Sequence, residues 1–539
     1  MRRRTDLTLM TALVILSACA AATQAAQTPC ESLAQAALPK AKITLAQSVA
    51  AGAFTLPAGQ AFGPGPGPTF KDVPAFCRVT VEATPTADSD IKIEVWLPAT
   101  GWNGKFRGQG NGGFAGVIDY PGLAEAVKSG YASAGTDTGH AGSGVDATWA
   151  LGHPEKVIDF GYRGVHEMTL KAKALIDAFY GSSAQRSYFA ACSDGGREAL
   201  MEAQRFPEDY DGILAGAPAN YWTHLLTSAM ADVKAATQDP ASYIPASKMP
   251  ALSAAVLAAC DAGDGVTDGI VSDPMHCRFQ PTTLLCHGAE SDACLTPKQA
   301  ATLMKLYEGP NDPHGHKVFP GYVPGGEDGP GGWGLWITGS APDRSLLSFF
   351  GVGYFRNMVY EKADWDPKTF EIGPALDLAD AKTGQALNSI EPNLAPFQSR
   401  GGKLIVYHGW ADAAIAAPNS INYYNSVVAK MGPAATDSFA RLFMAPGLQH
   451  CGGGPGPNSF GQFGASVPND PDHSIYLALE QWVEKGRAPA KVIATKFVDD
   501  SPAKGVKMTR PLCPYPEAAF YKGTGDVNDA ANFVCAPGR

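Results

Sequence analysis

The sequence predicts an α/β fold, a parallel sheet with helices on both faces, interrupted by one large insertion. Three observations carry this prediction. Strand-like apolar runs alternate with segments of helical spacing from about residue 79 to 216. The alternation stops from about 221 to 390 and resumes near residue 403. The 539 residues are 45% hydrophobic and only 17% charged, with 60 Gly and 42 Pro. Gly and Pro together make up about a fifth of the chain, against about 12% in ordinary domains. A disordered chain needs few apolar residues and a high net charge, so it is excluded. A coiled coil carries far more charge and far less Gly and Pro. Single cores stop growing near about 250–300 residues, so part of this length is an addition to a core.

The elements follow in order. Ile91-Lys92-Ile93-Glu94-Val95 alternates apolar and polar residues, as a half-buried strand does. Lys105-Phe106-Arg107 leads into a glycine-rich turn from Gly108 to Gly116. Pro121 to Ser129 reads as a helix with Pro at its tolerated first position. Tyr131 to Thr136 reads as a strand. Val165, Met168, Ala172, Leu175, Ile176 and Phe179 have helical spacing across residues 163–179. Tyr188-Phe189-Ala190-Ala191 is a short buried strand, and helical spacing returns from Gly195 through Leu200 and Met201. Asp211 to Gly216 is a further strand. Irregular helices, acidic turns and a Gly/Pro-rich stretch from Gly309 to Gly332 then occupy the insertion. Lys403 to Tyr407 and Ala440 to Met444 resume the strands, and a helix from Ser474 to Lys485 follows. There is no internal repeat. The expected division is a core in two parts, 26–220 and 391–539, around an inserted domain at 221–390.

Residues 1–25 read as an export signal. Arg2, Arg3 and Arg4 precede an apolar stretch from Leu7 to Ala18, and Thr23-Gln24-Ala25 offers a cut after Ala25. The stretch is too short for a comfortable membrane span, and the structural alternative is a buried N-terminal helix. Leu16-Ser17-Ala18-Cys19 resembles a bacterial lipoprotein box, in which Cys19 would carry the lipid. No other segment reaches spanning length. Net charge is −10, with no basic cluster beyond the first four residues, which argues against a nucleic-acid partner. Without Cys19, ten cysteines remain. In an oxidising compartment five disulfides are their simplest use. No Cys-x2-Cys or His-rich pairing suggests a zinc thiolate site.

Ala191-Cys192-Ser193-Asp194-Gly195-Gly196 sits between a predicted strand and a predicted helix, the setting of a nucleophile elbow. The usual pattern is G-x-S-x-G, with Ala191 here at the first Gly. The bland alternative is a Ser that caps a helix. A Ser hydroxyl is a poor nucleophile unless a base takes its proton, and in this fold class the order is Ser, acid, His. Asp412, in His408-Gly409-Trp410-Ala411-Asp412, lies just beyond a strand end, as does His450 in Pro446-Gly447-Leu448-Gln449-His450. Ser193 is therefore expected as nucleophile, His450 as base and then acid, and Asp412 as the group that orients His450. His408 is the rival base, and a turn carboxylate is the bland reading of Asp412. The tetrahedral intermediate needs backbone N–H donors, expected from Asp194 and from Gly112 or Gly113 in Gly110-Asn111-Gly112-Gly113, which is otherwise a simple turn. Cys192 precedes the nucleophile and Cys451 follows the base, so a bridge between them would staple the two.

With these residues the chain resembles the tannase and feruloyl esterase family, which also contains a hydrolase of mono(2-hydroxyethyl) terephthalate. The resemblance rests on Cys192-Ser193, Asp412 and His450-Cys451. Asn111-Gly112-Gly113-Phe114, Ala217-Pro218-Ala219, Trp482-Val483-Glu484 and Arg510-Pro511-Leu512-Cys513-Pro514-Tyr515-Pro516 extend it over roughly residues 30 to 535. It implies an α/β-hydrolase core with a large lid, and a Cys192–Cys451 bond. With proximity, it also implies Cys30–Cys77, Cys260–Cys277, Cys286–Cys294 and Cys513–Cys535. It implies a structural Ca²⁺ in the lid, held by Asp261, Asp264 and Asp268 through carboxylates and by Val266 and Ile270 through carbonyls. The Asp/Gly spacing of 261–270 suits a hard cation but also a solvated turn, and it lacks the Glu of an EF-hand.

The implied activity is hydrolysis of an aromatic carboxylic ester, with a galloyl, hydroxycinnamoyl, hydroxybenzoyl or terephthaloyl acyl group. Trp333, Trp336, Phe349, Phe350, Tyr354 and Phe355 would line a slot, or simply pack the lid. Arg344 or Arg356 would meet a carboxylate or phenol, or lie at the surface. Rival classes are a non-catalytic binding protein on a hydrolase scaffold and a calcium- or zinc-dependent hydrolase.

Overall fold

A computed structural model describes residues 28–57, 68–464 and 467–538. The expected signal and Cys19 lie outside the described residues. Nine strands form one sheet: β1 (Ala41–Val49), β2 (Phe76–Ala83), β3 (Ile91–Pro98), β4 (Lys105–Gln109), β5 (Ala132–Thr136), β6 (Arg186–Cys192), β7 (Gly212–Gly216), β8 (Lys403–Gly409) and β9 (Ala440–Ala445). Their spatial order is β1-β2-β3-β5-β4-β6-β7-β8-β9. From β5 to β9 every pairing is parallel, with β6 central and Ala190 beside Leu214 of β7.

Two corrections to the sequence reading follow. The sheet is mixed, because β1, β2 and β3 add an antiparallel edge. Only residues 84–90 separate β2 from β3, and a connection that short joins antiparallel neighbours, whereas parallel ones need a crossover. The strand before the glycine-rich turn also runs on to Gln109, since pairing with β5 and β6 on both sides overrides the low strand preference of Gly108.

Alternation along the strands builds two apolar layers. Phe189 of β6 and Leu404 and Val406 of β8 face the helices Gly164–Tyr180, Asp194–Arg205 and Pro418–Met431. Tyr188 and Ala190 of β6 and Ile405 and Tyr407 of β8 face the opposite side, where Ile475–Lys485 packs. Gly164–Tyr180, Asp194–Arg205 and Ile475–Lys485 fall where the apolar spacing predicts them, and Pro418–Met431 is an addition that the sequence reading missed.

The segment between β7 and β8 contributes no described strand to the sheet. Its helices Trp222–Thr237, Met249–Cys260, Pro297–Glu308 and Leu346–Tyr354 surround a separate apolar cluster that includes Leu252, Leu303, Trp333 and Phe355. Phe114 and Ala413 to Ala416, from loops of the sheet, belong to the same cluster. The inserted segment therefore packs over the ends of β4 and β8. Five disulfides join Cys30–Cys77, Cys192–Cys451, Cys260–Cys277, Cys286–Cys294 and Cys513–Cys535. No helix among the described residues is long and apolar enough to cross a membrane.

Candidate active site

The turn from β6 into Asp194–Arg205 holds Ser193 at φ 68° and ψ −123°. That is a left-handed backbone for a residue with a Cβ, at a cost of about 1–3 kcal/mol. Hydrogen bonds on both sides hold it. The Ser193 amide donates to the Gly216 carbonyl (3.0 Å), and the Ser193 carbonyl accepts from Ala219 N–H (3.1 Å). Gly195 is required by space: a Cβ there would lie 2.5 Å from Ala191 Cβ and 2.8 Å from the Asn111 carbonyl. Ala191 thus serves at the first elbow position because residue 195 has no side chain.

β8 and β9 end beside this turn. His450 Nε2 lies 2.9 Å from Ser193 Oγ, and His450 Nδ1 lies 2.8 Å from Asp412 Oδ2. Asp412 Oδ1 accepts from the backbone N–H groups of Ala414 (2.8 Å) and Ile415 (2.9 Å). Burial opposes ionisation of Asp412. The charge of His450 and hydrogen bonds from His408 and His450 outweigh it and hold the carboxyl well below its usual range. His408 lies within β8, fully buried, with Nε2 3.1 Å from Asp412 Oδ2 and Nδ1 2.7 Å from Ser420 Oγ. Its contacts are with the acid, and Ser193 is paired with His450. Reading His408 only as a rival base missed this support, for which an i,i+4 spacing to Asp412 was the available signal.

Of the expected oxyanion donors, Asp194 supplies the first amide of its helix, which has no intrahelical acceptor. Gly113 lines the cavity beside Ser193, whereas Gly112 is exposed and does not. Gly113 has φ 61°, and a Cβ there would strike the Gly144 carbonyl. His140 supports this loop through Nε2, 2.7 Å from the Phe114 carbonyl. Burial pushes the His140 imidazole down to about 4, so it is neutral at pH 7. Cys192 and Cys451 bond across 259 residues of sequence with Cα atoms 6.0 Å apart, beside Ser193 and His450.

The cavity at Ser193 is narrow, about 40 Å³, and mostly apolar. Trp222, Leu226, Trp336 and Phe350 wall it, and Trp336 stands edge-on to the His450 ring at 5.0 Å. Of the other aromatics named from sequence, Trp333, Tyr354 and Phe355 are buried in the inserted segment, and Phe349 is half-exposed. Arg344 is exposed, and Arg356 donates to the Trp365 carbonyl at 3.4 Å. Neither Arg lines the cavity.

The 261–270 loop lies elsewhere. Asp261 accepts from the backbone N–H groups of Asp268 (3.1 Å), Gly269 (2.9 Å) and Ile270 (3.3 Å). Asp264 accepts from Val266 N–H (3.0 Å) and Ser272 Oγ (2.8 Å). Asp268 Oδ2 pairs with Arg510 (2.5 Å), while buried Oδ1 has no hydrogen-bond partner among the described residues. Burial raises Asp264 and Asp268, and neighbouring carboxylates add to the effect. The orphaned buried oxygen of Asp268 suits a hard cation, although the three carboxylates do not converge on one point as a ligand set would. A second group, His166, Glu202 and Asp209, places three ligand-type atoms within 4.8 Å of one another. There His166 Nδ1 and Asp209 Oδ2 already share a 2.6 Å hydrogen bond.

Known proteins resemble this chain over most of its length. The family model described as "Tannase and feruloyl esterase" matches residues 77–536. An uncharacterized esterase from Xanthomonas campestris pv. campestris is 41% identical over 537 residues, covering 95% of this chain and 92% of its own. A protein named "Probable feruloyl esterase B-2" from Aspergillus terreus is 33% identical, covering 87% and 88%. The crystal structure of feruloyl esterase B from Aspergillus oryzae superposes with a TM-score of 0.85 at 30% identity, covering 94% of this chain and 99% of that one. Tannin acyl hydrolase from Aspergillus niger shares the fold, with a TM-score of 0.72 at 24% identity, covering 95% and 94%.

Proposed function

The chain belongs to the tannase and feruloyl esterase family and is a carboxylic ester hydrolase with an α/β-hydrolase fold, and from that premise we propose that it cleaves aromatic esters through an acyl-enzyme on Ser193. The observation that carries the proposal is the relay from Ser193 Oγ to His450 (2.9 Å) to Asp412 (2.8 Å) at the mouth of an apolar slot.

His450 Nε2 takes the Ser193 proton as Oγ attacks the ester carbonyl carbon. The resulting oxyanion is met by the amides of Asp194 and Gly113. Collapse expels the alcohol, which receives the proton from His450. Water, deprotonated by the same His450, then releases the acid and regenerates Ser193. Asp412 fixes the ring of His450 and balances its charge.

Trp336 and Phe350 suit a flat aromatic acyl group, as in hydroxycinnamoyl, hydroxybenzoyl or galloyl esters. Among the described residues no Lys or Arg lines the slot, which makes a terephthalate monoester, with its free carboxylate, the less supported substrate. A non-catalytic binding protein has no use for a complete relay. We assign 26–220 and 391–539 to the hydrolase core and 221–390 to a lid. Ca²⁺ held by Asp261, Asp264, Asp268 and the carbonyls of Val266 and Ile270 would act as a structural clamp, remote from Ser193. Five disulfides favour export, with residues 1–25 as the signal and Cys19 as an alternative lipid anchor.

Initial rates on methyl ferulate, methyl 4-hydroxybenzoate, methyl gallate and the terephthalate monoester test the substrate class. The neutral aromatic esters should be hydrolysed fastest, and a preference for the monoester would reverse that ranking. Fluorophosphonate labelling that persists in Ser193→Ala would sink the nucleophile assignment.

A further inference from the structure

Asn111, two residues before Gly113, is gripped from both sides by the nucleophile helix. Its carbonyl accepts from Gly195 N–H (2.8 Å), and its amide donates to Glu198 Oε2 (2.9 Å). Gly195 and Glu198 are three residues apart, hence one above the other on the same face. Asn111's side chain extends the grip by donating to the carbonyls of Val117 and Thr136, both at 2.9 Å. Glu198 is 1% exposed, and its Oε1 has no hydrogen-bond partner among the described residues. Gly110 leaves room for it, since a Cβ there would lie 2.6 Å from Glu198 Oε2.

A buried carboxyl is costly, and an apolar residue at position 198 would avoid the cost. Here the group is spent on one backbone amide of the loop that carries Gly113. The Gly195 and Glu198 contacts define where that loop sits relative to Asp194. The two amides that meet the oxyanion are thus spaced through Asn111.

We infer that Glu198 is a positioning residue for ester hydrolysis, which sets the Gly113 amide against the Asp194 amide by holding Asn111. Burial and the charge of Asp194 push the Glu198 carboxyl well above its usual range, despite Arg197 and the Asn111 bond. A neutral Gln of the same shape therefore fits the site and still accepts from Asn111. The inference rests on the serine-esterase reading above.

The test compares wild type, Glu198→Gln, Glu198→Asp and Glu198→Ala on methyl ferulate, with phenylboronic acid as a tetrahedral probe of Ser193. Glu198→Asp is one methylene short of Asn111 but keeps the carboxyl, and covers the case in which Glu198→Ala does not fold. Displaced oxyanion donors should lower kcat by about 10- to 100-fold in the Asp and Ala variants, with KM within about 2-fold. Phenylboronic acid affinity should weaken in parallel, and Glu198→Gln should restore most of kcat. Wild-type kcat in folded Glu198→Asp, or equal kcat losses in the Gln and Asp variants, would overturn the inference. Ser193→Ala is run alongside. If it remains active, the serine-esterase reading itself has failed. If it is inactive while Glu198→Asp turns over normally, only the positioning role has failed.

Discussion

At the scale of single residues, catalysis and stability meet in Asp412. It is buried, faces two imidazoles and accepts two backbone amides. Asp412→Asn keeps the shape but leaves His450 Nδ1–H facing an amide, and kcat should drop by about 10⁴-fold with little change in KM. Steady-state kinetics on methyl ferulate check this. Because the folded carboxyl is held below its usual range, its contribution to stability is fully present above the unfolded value of about 3.9. That contribution is lost as the pH falls through the folded value. Urea unfolding of wild type and Asp412→Asn should therefore show a stability gap that is constant above about pH 5 and narrows only as the pH falls through about 4 and below. The hydrogen-bonded chain of Ser193, His450 and Asp412 was legible from sequence because each member lies in the turn or loop after a predicted strand, in the order expected of the fold. Glu198 was not, because a Glu within a helix ordinarily marks a solvated face and only packing reveals it to be buried.

At the scale of elements, the site is an agreement among the ends of β4, β6, β8 and β9. Parallel pairing from β5 through β9 brings those ends to one edge. The Cys192–Cys451 bond then joins the β6 turn to the β9 loop. Replacing both cysteines by Ser should cost about 2–4 kcal/mol of stability. It should also lower kcat, since Ser193 and His450 lose their shared tether. Chemical unfolding and kinetics of the double variant test both effects, and unchanged kcat would show that packing alone aligns the pair. The parallel half of the sheet was visible in the strand–helix alternation. The antiparallel edge was missed in part because β1 is half-exposed on both faces, so its sequence has no clean period of two.

At the scale of the whole molecule, the Gly- and Pro-rich excess in the sequence resolves into turns around one hydrolase core and an inserted segment with its own apolar cluster. That segment supplies Trp336 and Phe350 to the slot, and its 261–270 loop reaches the Gly447 turn through Ile270 and Arg510 through Asp268. Chelation of a structural Ca²⁺ should lower Tm while leaving the initial rate at low temperature unchanged. Thermal unfolding with and without chelator, beside a rate assay, separates this from metal-dependent chemistry, in which the rate would vanish at once. The long break between β7 and β8 was readable where alternation ceased. The slot's wall residues were legible only in part: Trp336 and Phe350 were among the named aromatics, but Trp333 shares the neighbourhood of Trp336 and differs only in which way the short helix turns it. The most direct test of the central claim is mass spectrometry of the enzyme acid-quenched during turnover of methyl ferulate. A feruloyl adduct on the peptide that contains Ser193, absent in Ser193→Ala, is the predicted result. Turnover by Ser193→Ala at the wild-type rate, with no adduct on either protein, would contradict it.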